Sequence, residues 1–145
     1  MDEYVAKLIE ADVVEPCKSP WSSPILLVPK KDGSLRAVAD LRKLNDCVIR
    51  DGFPMPDVNE SLDQLAGSKW FSLLDLSSAF WQLPLAENSR DCTAFMTRTH
   101  GLLRWKVMPM GLKNASAAFQ REIDAALGSL RLTCCIAYID DVCIQ

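Results

Sequence analysis

The chain has 145 residues, of which 49% are hydrophobic, and this is enough for one globular domain or two small lobes with a buried core. Its net charge of −3 argues against a strongly basic nucleic-acid binder, and no apolar stretch approaches the roughly 20 residues that span a bilayer. The acidic N-terminus lacks the plan of a secretory signal, so we expect an intracellular protein without a membrane partner.

The average charge hides an uneven distribution along the chain. Residues 1–15 carry five acidic residues and one lysine, whereas residues 18–43 carry six basic residues and two acidic ones. We therefore expect a local positive surface in the second segment.

The cysteines show neither metal-site nor disulfide spacing. No C-x-x-C pair occurs, and His100 is the only histidine. Because neither a zinc site nor a disulfide framework is indicated, we interpret the cysteines as buried thiols. They are Cys17, Cys47, Cys92, Cys134, Cys135 and Cys143.

The first third of the chain predicts a short helix, an extended segment and a hairpin. Val5, Leu8 and Ile9 have helical spacing within residues 2–12, and the proline-rich "EPCKSPWSSP" that follows favours extended backbone. The apolar run 25–28, a Lys-Asp-Gly turn and the stretch "SLRAVAD" predict a β-hairpin, because Asp-Gly supplies the positive φ angles of tight turns.

The register of this hairpin decides which lysine lies beside Arg36. If residues 32–34 form a three-residue loop, Lys30 faces Arg36 across the ladder. If only Asp32 and Gly33 form the turn, Lys31 shares the face of Arg36 instead. We favour Lys30 and keep Lys31 as the alternative.

Helices and apolar strands alternate over the rest of the chain. After "RDGFPMP" we predict a helix with Pro56 in its first turn and Gly67 at its end, and then a buried strand in "KWFSLLDL". "LLRWKVMPM" indicates another strand. A helix over residues 114–130 should follow, with Asn114 or Ser116 as its cap. The apolar face of this helix consists of Phe119, Ile123, Leu127 and Leu130.

The stretch "CCIAYIDDVCIQ" ends the sequence and holds two adjacent carboxylates in apolar surroundings. β-rich arms flank Asp140 and Asp141, which predicts a hairpin with both aspartates at its bend. Hairpins combined with helices packed on sheets indicate an α+β fold.

Asp75 ends the apolar strand "WFSLLD" and provides a third carboxylate. Three acids on adjacent strands repel one another unless cations neutralise them. Two divalent ions require hard oxygen ligands with open positions for phosphates and water, so these residues are candidates for a metal site. The alternative is ordinary turn chemistry, since Asp-Asp is common at turns and Asp after a strand is often a helix cap.

Five ordered blocks cover most of residues 18–145: "SPWSSPILLVPKKDGSLRAVADLRKLN", "FSLLDLSSAFWQLPL", "TAFMTR", "VMPMGLKNASAAFQR" and "YIDD". In this order and spacing they resemble the reverse transcriptases, most closely the polymerases of gypsy-type LTR retrotransposons and their retroviral relatives. The five blocks together are a specific match, whereas "YIDD" alone would be weak. The resemblance implies the fingers and palm of a right-hand polymerase.

The resemblance implies a two-metal site and the activity of an RNA-directed DNA polymerase. Asp75 and Asp140 would be the principal ligands of two Mg²⁺ ions, with Mn²⁺ as an alternative, and Asp141 would complete the carboxylate cluster. One ion would help to deprotonate the primer 3′-hydroxyl, and the other would hold the triphosphate and stabilise the leaving pyrophosphate.

The resemblance also implies a binding site for a deoxynucleoside triphosphate. Phe80 would lie beneath the incoming sugar and disfavour a 2′-hydroxyl, while Lys30 and Arg36 would bind the triphosphate. From the residues alone, a core position is the better explanation of Phe80, and a solvated hairpin tip is the better explanation of the two cations. Further contacts with the nucleotide would come from Met110, Gly111 and Lys113.

Contacts with nucleic acid are implied for three further residues. Arg42 and Asn45 in "DLRKLN" would contact the template backbone or stabilise the hairpin, and Tyr138 would contact template or primer. The chain also departs from the family pattern: Ser116 stands where proline is usual, and "SSAFWQ" replaces a glycine-aromatic sequence. Neither departure removes a metal ligand, but the helix start and the sugar contact would be altered.

The resemblance assigns residues 1–51 and 83–114 to the fingers and residues 52–82 and 115–145 to a partial palm. The thumb and ribonuclease H domains would be absent, so we expect a chain truncated after the YIDD hairpin. The expected partners are a primed RNA or DNA template, deoxynucleoside triphosphates and the remaining polyprotein domains. The expected locations are the cytoplasm, a virus-like particle or the nucleus.

Truncation would have two physical consequences. Primer-template binding would be weak and steeply salt-dependent, because few phosphate contacts remain. The terminal strand "VCIQ" would expose an unpaired edge and favour self-association. An alternative function for such a chain is a non-catalytic retroelement remnant, or a binding module for nucleic acid or protein.

Overall fold

The structure of the chain, a computed structural model, describes residues 2–29 and 35–145. The chain divides into two compact units: unit 1 comprises Met1–Ile49 and Phe80–Ala115, and unit 2 comprises Arg50–Ala79 and Ser116–Gln145. Mixed helices and strands confirm the predicted α+β class. The boundaries predicted between fingers and palm lie at nearly the same positions, and the assignment of those names stays a prediction.

The strands form three antiparallel groups, with orders β1-β6-β5, β2-β3 and β4-β8-β7. They are β1 (Val14–Pro16), β2 (Ile25–Pro29), β3 (Leu35–Ala39), β4 (Ser72–Asp75), β5 (Phe95–Thr97), β6 (Gly101–Trp105), β7 (Cys135–Tyr138) and β8 (Asp141–Ile144). The α-helices are α1 (Asp2–Glu10), α2 (Arg42–Cys47), α3 (Val58–Gln64), α4 (Glu87–Arg90) and α5 (Ala115–Leu127). Short 3₁₀ turns lie at Ala79–Gln82, Asp91–Thr93 and Gly128–Leu132. None of the helices in the described part of the chain is both long and apolar enough to cross a membrane.

The main core of unit 1 forms where α1 packs on the sheet β1-β6-β5. Val5 and Leu8 of α1 are buried against Phe95 and Leu103, which confirms the predicted amphipathic helix. Ile9, also predicted on the apolar face, is 39% exposed. Strand β5, which carries Phe95, was not predicted, because its three residues are too few to show a periodic pattern.

An ion cluster ties the strands of this sheet to the segment that precedes β5. Arg104 on β6 lies opposite Glu15 on β1. Its guanidinium contacts Glu15 Oε1 at 2.7 Å, Asp91 Oδ1 at 2.8 Å and Glu87 Oε1 at 3.3 Å. The hydrogen bonds with Asp91 and then with Glu15 raise the pKa of Arg104.

The predicted β2–β3 hairpin is confirmed, but neither predicted register is correct. Arg36 lies opposite Val28, an apolar residue, rather than opposite a lysine. The prediction took the register from the turn sequence. At the open end of the hairpin, Asp40 N–H donates to the Pro24 carbonyl at 2.8 Å. This hydrogen bond has the same register as the β2–β3 ladder, so the register is defined at the open end as well as at the turn.

In unit 2, α5 packs on the sheet β4-β8-β7. Ile123 and Leu127 contact the buried side chains of Cys135, Ala137 and Val142, as the apolar face of the helix predicted. These contacts fix one face of the sheet in the core of unit 2.

The helix is shorter than predicted at its C-terminal end. It ends at Leu127, and Gly128 follows with a φ of 53°, the left-handed conformation that commonly terminates helices. Leu130, expected on the apolar face, lies in the 3₁₀ turn beyond the helix and is 53% exposed.

Strand β8 lies in the centre of its sheet, which corrects the prediction of an unpaired edge at "VCIQ". It pairs with β4 on one side and with β7 on the other. The prediction considered only neighbours later in the chain, whereas β4 comes from a segment much earlier in the sequence. The edges of this sheet, as described, are β4 and β7.

Strand β4 is not the buried strand that its apolar sequence predicted. All four of its residues are exposed, and Leu73 reaches 79% exposure. Within the described chain β4 is an edge strand that pairs only with β8. The apolar run predicted the strand correctly, but composition alone does not tell which faces are covered.

Helix α3 begins with an aspartate cap rather than with Pro56. Asp57 Oδ1 accepts the backbone N–H of Asn59 at 2.8 Å, which is the geometry of an N-cap carboxylate. Pro56 therefore precedes the cap, contrary to the prediction. Gly67 follows the helix with a φ of 97°, in agreement with its predicted place near the helix end.

The interpretation of the cysteines as buried thiols is correct for Cys135 only. Cys47 is exposed, and the other four cysteines are partly buried. Burial is the main cause that raises the pKa of the Cys135 thiol and also that of Cys17. The thiol form is therefore favoured at both positions.

Candidate active site

The three aspartates of the predicted metal site lie at one end of the sheet in unit 2. Asp75, the last residue of β4, is the Cα partner of Asp141, the first residue of β8. Next to this pair, Leu76 N–H donates to the Asp140 carbonyl at 2.9 Å, which extends the strand pairing by one step. Backbone pairing thus brings together carboxylates that are far apart in the sequence.

Ile139 and Asp140 form the two-residue turn between β7 and β8. Tyr138 and Asp141 lie opposite each other at its base, so the predicted hairpin with its aspartates at the bend is confirmed. Ile139 has a φ of 57°, a left-handed conformation that β-branched residues rarely adopt. Tyr138 is 45% exposed, and its contact with template or primer stays a prediction.

The chemistry of these three residues fits a divalent cation such as Mg²⁺. Their carboxylates are hard oxygen ligands; Asp75 and Asp141 are exposed and Asp140 is partly exposed, so phosphates and water can reach them. Across residues 2–29 and 35–145, no group of three or more His, Cys, Asp or Glu side chains is arranged to hold a metal ion. The support for a shared site is therefore the backbone register, which places the three aspartates at one end of the sheet.

Gln120 on α5 binds the YIDD hairpin and was missed in the sequence. Its Oε1 accepts the Ile139 N–H at 2.8 Å, and its Nε2 donates to the Ala137 carbonyl at 3.0 Å. Nε2 also donates to Asp124 Oδ1 at 2.9 Å. Gln120 is fully buried, so its amide groups are hydrogen-bonded where water does not reach them.

A signal for Gln120 was present in the helical pattern. It precedes Ile123 by three positions and Leu127 by seven, so it lies on the apolar face of α5. A glutamine on a buried face requires partners for its amide. The pattern therefore indicates a polar contact with the packed sheet, although it does not identify the partner.

In unit 1, Asn45 binds the backbone of the segment that carries Met110 and Gly111. Its Nδ2 donates to the Gly111 carbonyl at 2.8 Å, and its Oδ1 accepts the Lys113 N–H at 2.8 Å. Gly111 has a φ of 93°, and a Cβ there would meet nothing within 4 Å, so backbone conformation rather than crowding favours glycine. Asn45 thus has a structural contact, and its contact with a template stays a prediction.

The ammonium group of Lys113 is directed at backbone carbonyls. Nζ donates to the Val48 carbonyl at 2.8 Å and to the Asn45 carbonyl at 3.2 Å, near the C-terminal end of α2. The Asn45 carbonyl also accepts the Val48 N–H at 3.2 Å, so Lys113 adds a charged donor at the negative end of the helix dipole. The predicted place of Lys113 near the substrate stays a prediction.

The predicted sugar contacts, Phe80 and Met110, both belong to unit 1. Phe80 is partly buried within the 3₁₀ turn Ala79–Gln82. Met110 is 48% exposed and follows two buried residues, Met108 and Pro109. Their contacts with a nucleotide stay predictions.

Arg42 lies beside a cavity of about 740 Å³ in unit 1, which Trp21, Lys43 and Asn45 also line. Its guanidinium forms a two-pronged pair with Asp40, with Nε–Oδ1 and Nη2–Oδ2 distances of 2.8 and 2.7 Å. The hydrogen bonds from Arg42 lower the pKa of Asp40 from 3.8 to about 2. The positive surface expected over residues 18–43 is therefore partly neutralised at Arg42.

The predicted triphosphate contacts are only partly covered by the structure. Lys30, and Lys31 as its alternative, lie outside the described residues. The backbone of Arg36 lies in β3, and its side chain is outside the described part. Binding of the triphosphate by Lys30 and Arg36 stays a prediction.

Curated relatives of this chain are polyproteins of mobile elements and viruses. The retrovirus-related Pol polyproteins from the Drosophila melanogaster transposons 412 and gypsy are 41% and 38% identical, over 97% and 99% of this chain. The enzymatic polyprotein of cauliflower mosaic virus (strain CM-1841) is 37% identical over 99% of it. The chain spans only 12%, 14% and 21% of the lengths of these three relatives, respectively.

Solved structures similar to this one confirm the predicted fold. A foamy viral protease-reverse transcriptase in complex with double-stranded DNA has a TM-score of 0.88 and 29% identity, with 99% of this chain and 25% of that chain covered. The same type of protein with an RNA/DNA hybrid has a TM-score of 0.85 and 29% identity, with 97% and 19% covered. A family model also matches residues 28–145, which is most of the chain. The chain therefore belongs to the reverse transcriptase (RNA-dependent DNA polymerase) family.

Proposed function

We propose that this chain carries the catalytic carboxylates of an RNA-directed DNA polymerase from a retroelement polyprotein. The observation that supports this most directly is the pairing of Asp75 with Asp141, with Asp140 in the adjoining turn. Asp75 and Asp140 would be the principal ligands of two Mg²⁺ ions, or of Mn²⁺, and Asp141 would complete the cluster. Membership in the reverse transcriptase family supports this chemistry.

The proposed reaction is nucleotidyl transfer. The primer 3′-oxygen loses its proton and bonds to the α-phosphorus of a deoxynucleoside triphosphate, while the bond from that phosphorus to the bridging oxygen breaks and pyrophosphate leaves. Bound divalent ions would lower the pKa of the 3′-hydroxyl and neutralise the phosphate oxygens. Asp75 would supply ligand oxygens from the end of β4 and Asp140 from the turn before β8, and Asp141, the strand partner of Asp75, would add negative charge beside them.

The proposed partners are a primed RNA or DNA template and the remaining polyprotein domains. The solved foamy virus proteins support the first, because they are complexes with double-stranded DNA and with an RNA/DNA hybrid. The great length of the curated relatives supports the second. We propose that thumb and ribonuclease H domains outside this chain supply most of the contacts with the primer-template.

Further site residues are proposed from the family pattern. Arg42, Asn45 and Tyr138 would contact template or primer. The first two line a cavity in unit 1 whose charged lining residues are two bases, Arg42 and Lys43, and two acids, Asp40 and Asp46. The proposed nucleotide contacts are Lys30, Arg36, Phe80, Met110, Gly111 and Lys113.

Incorporation of a single nucleotide tests the proposed carboxylates without requiring processive synthesis. The chain is mixed with an RNA template, a DNA primer, one deoxynucleoside triphosphate and Mg²⁺, and product is measured over time. We expect Asp75→Asn and Asp140→Asn to lower the rate by about a hundredfold or more, because each removes a ligand charge. Asp63→Asn removes the same charge from an exposed position on α3 in the same unit and should leave the rate unchanged.

A chimaera separates absent chemistry from weak substrate binding. The chain replaces the matching segment of the transposon 412 polyprotein, to which it is 41% identical, and the same variants are made in it. If the chimaera incorporates the nucleotide and its Asp140→Asn variant does not, the result supports the proposed polymerase activity. A folded chimaera that is as inactive as its Asp140→Asn form, beside an active unaltered 412 polyprotein, contradicts the enzyme and favours the non-catalytic alternative.

A further inference from the structure

The turn that carries Asp140 has an unfavourable backbone conformation. Ile139 has a φ of 57°, where the branched Cβ crowds the backbone. A glycine or asparagine adopts this conformation readily, but isoleucine does so only when its surroundings hold it. Positive φ is also what a two-residue hairpin turn requires at its first position, so Ile139 keeps this conformation only while the strand pairing and the contacts around the turn hold it. This residue directly precedes Asp140 and Asp141.

Gln120 supplies one such contact from α5, in addition to the strand pairing. Its Oε1 accepts the N–H of the strained residue itself, Ile139, at 2.8 Å. Its Nε2 donates at 3.0 Å to the carbonyl of Ala137, on the strand that enters the turn. One fully buried side chain thus binds the hairpin on both sides of Tyr138.

The orientation of the Gln120 amide follows from its partners. The Ala137 carbonyl and the Asp124 carboxylate accept hydrogen bonds, so the amide nitrogen must face them. The Ile139 N–H donates, so the amide oxygen must face it. Together these partners fix the rotation of the amide, and the reversed orientation would leave the buried Gln120 amide mismatched with all three of them.

We infer that Gln120 is a positioning residue: it holds Ile139 at positive φ and thereby keeps Asp140 and Asp141 at the end of β4 beside Asp75. This inference rests on the proposed function for the importance of the aspartates, but the hold on the turn is a separate physical statement. A glutamine that served only to fill the core would not influence φ at Ile139. Replacement of Ile139 by glycine distinguishes the two roles, because glycine adopts positive φ without help.

The test uses the chain with three changes and a matched control. Gln120→Met keeps the side-chain volume and removes all three hydrogen bonds. Ile139→Gly removes the steric barrier to positive φ, and the double variant combines both changes. Ile123→Ala is the control, because it removes packing between α5 and the same sheet and keeps all three hydrogen bonds of Gln120.

The first measurement is φ at residue 139, from backbone NMR couplings and chemical shifts. We expect positive φ in the unaltered chain and in Ile123→Ala, negative φ in Gln120→Met, and positive φ again in the double variant. Positive φ in folded Gln120→Met overturns the inference. If Gln120→Met does not fold, the double variant decides: a folded chain with positive φ supports the inference, and an unfolded one overturns it.

The second measurement is the affinity for Mn²⁺, from paramagnetic broadening of the resonances of Asp75 and Asp140. Gln120→Met should bind about tenfold more weakly, and the double variant should return to within about threefold of Ile139→Gly. If Gln120→Met and the unaltered chain bind Mn²⁺ with equal affinity, the proposed effect of Gln120 on the metal site is contradicted. If Mn²⁺ causes no broadening that depends on Asp75, the proposed metal site is contradicted instead. In that case φ at residue 139 still decides the role of Gln120.

Discussion

Two side-chain amides, one in each unit, bind the backbone of segments that carry proposed site residues. Asn45 binds the segment at Gly111 and Lys113, and Gln120 binds the YIDD hairpin. Both amides use donor and acceptor atoms together, so each fixes a local backbone geometry rather than a single atom. At the scale of residues, the structure adds these amide contacts to the three aspartates that the sequence predicted.

Loss of the Asn45 amide should destabilise unit 1. Asn45→Ala leaves the Gly111 carbonyl and the Lys113 N–H without this partner, and we expect the free energy of unfolding to fall by about 1–2 kcal/mol. Urea titration followed by tryptophan fluorescence measures the change. Asn88→Ala, at an exposed position of α4 in the same unit, is the control and should change stability by less than about 0.5 kcal/mol. Equal stabilities of the two variants would contradict the structural role of Asn45.

The carboxyl of Asp40 should report the presence of Arg42. Arg42→Met removes the side-chain hydrogen bonds, the largest cause that lowers the Asp40 pKa, and keeps the backbone N–H of residue 42 as a donor. We therefore expect the pKa to rise from about 2 part of the way toward its ordinary value of 3.8. Carbon-detected NMR titration of the carboxyl measures this. Because the pKa is lower in the folded chain, the pair stabilises the fold above pH 3.8, and this contribution is lost as the pH falls toward about 2.

Lys43→Met is the matched control for this titration. Lys43 also lowers the Asp40 pKa, but through charge alone and as the smallest of the named causes. Its removal should shift the pKa much less than the removal of Arg42. A larger shift in Lys43→Met would show that charge, rather than the two-pronged hydrogen bond, governs Asp40.

At the scale of elements, local patterns predicted which segments form strands and helices, but not how the strands are ordered. The helical spacing of Val5 and Leu8 and the apolar face of α5 were sufficient for α1 and for much of α5. The central place of β8 depends on pairing with β4, a contact between distant segments that no local pattern contains. The register of β2 and β3 likewise depends on a bond at the open end of the hairpin.

The same limit applies to the candidate site. The motifs predicted Asp75, Asp140 and Asp141 as a set, but the pairing of Asp75 with Asp141 required the strand order. The strained φ of Ile139 also lay outside prediction, because "YID" contains neither glycine nor asparagine. The hydrogen bond between Gln120 and Ile139 connects a helix with a hairpin, so it can be seen only in the tertiary structure.

Replacing an apolar residue should affect stability little on β4 and strongly on β8. Leu73 on β4 is 79% exposed, so Leu73→Thr should change the free energy of unfolding by less than about 0.5 kcal/mol and reduce self-association through the sheet edge. Val142 on β8 is 5% exposed, and Val142→Thr buries a hydroxyl at a cost of about 1–3 kcal/mol.

Urea titration and sedimentation velocity measure these two effects. Threonine suits strands and replaces an apolar side chain in both variants, so burial is the main difference between the pair. A large loss of stability in Leu73→Thr would show that the exposed face of β4 is covered in solution.

At the scale of the whole molecule, the proposed metal ligands and one proposed triphosphate contact lie in different units of the chain. The proposed metal ligands all belong to unit 2, whereas Arg36, a proposed triphosphate contact, belongs to unit 1. The chain as a whole has a net charge of −3, so it offers little general attraction for nucleic acid. The central claim therefore concerns the three aspartates and the ions that would balance them.

Anomalous diffraction from crystals of the chain soaked with Mn²⁺ and a deoxynucleoside triphosphate tests this claim most directly. We predict two manganese peaks per chain, both bound by the carboxylates of Asp75 and Asp140, and loss of both peaks in crystals of Asp75→Asn. Peaks that persist in Asp75→Asn, or manganese bound only at other residues, would contradict the two-metal site.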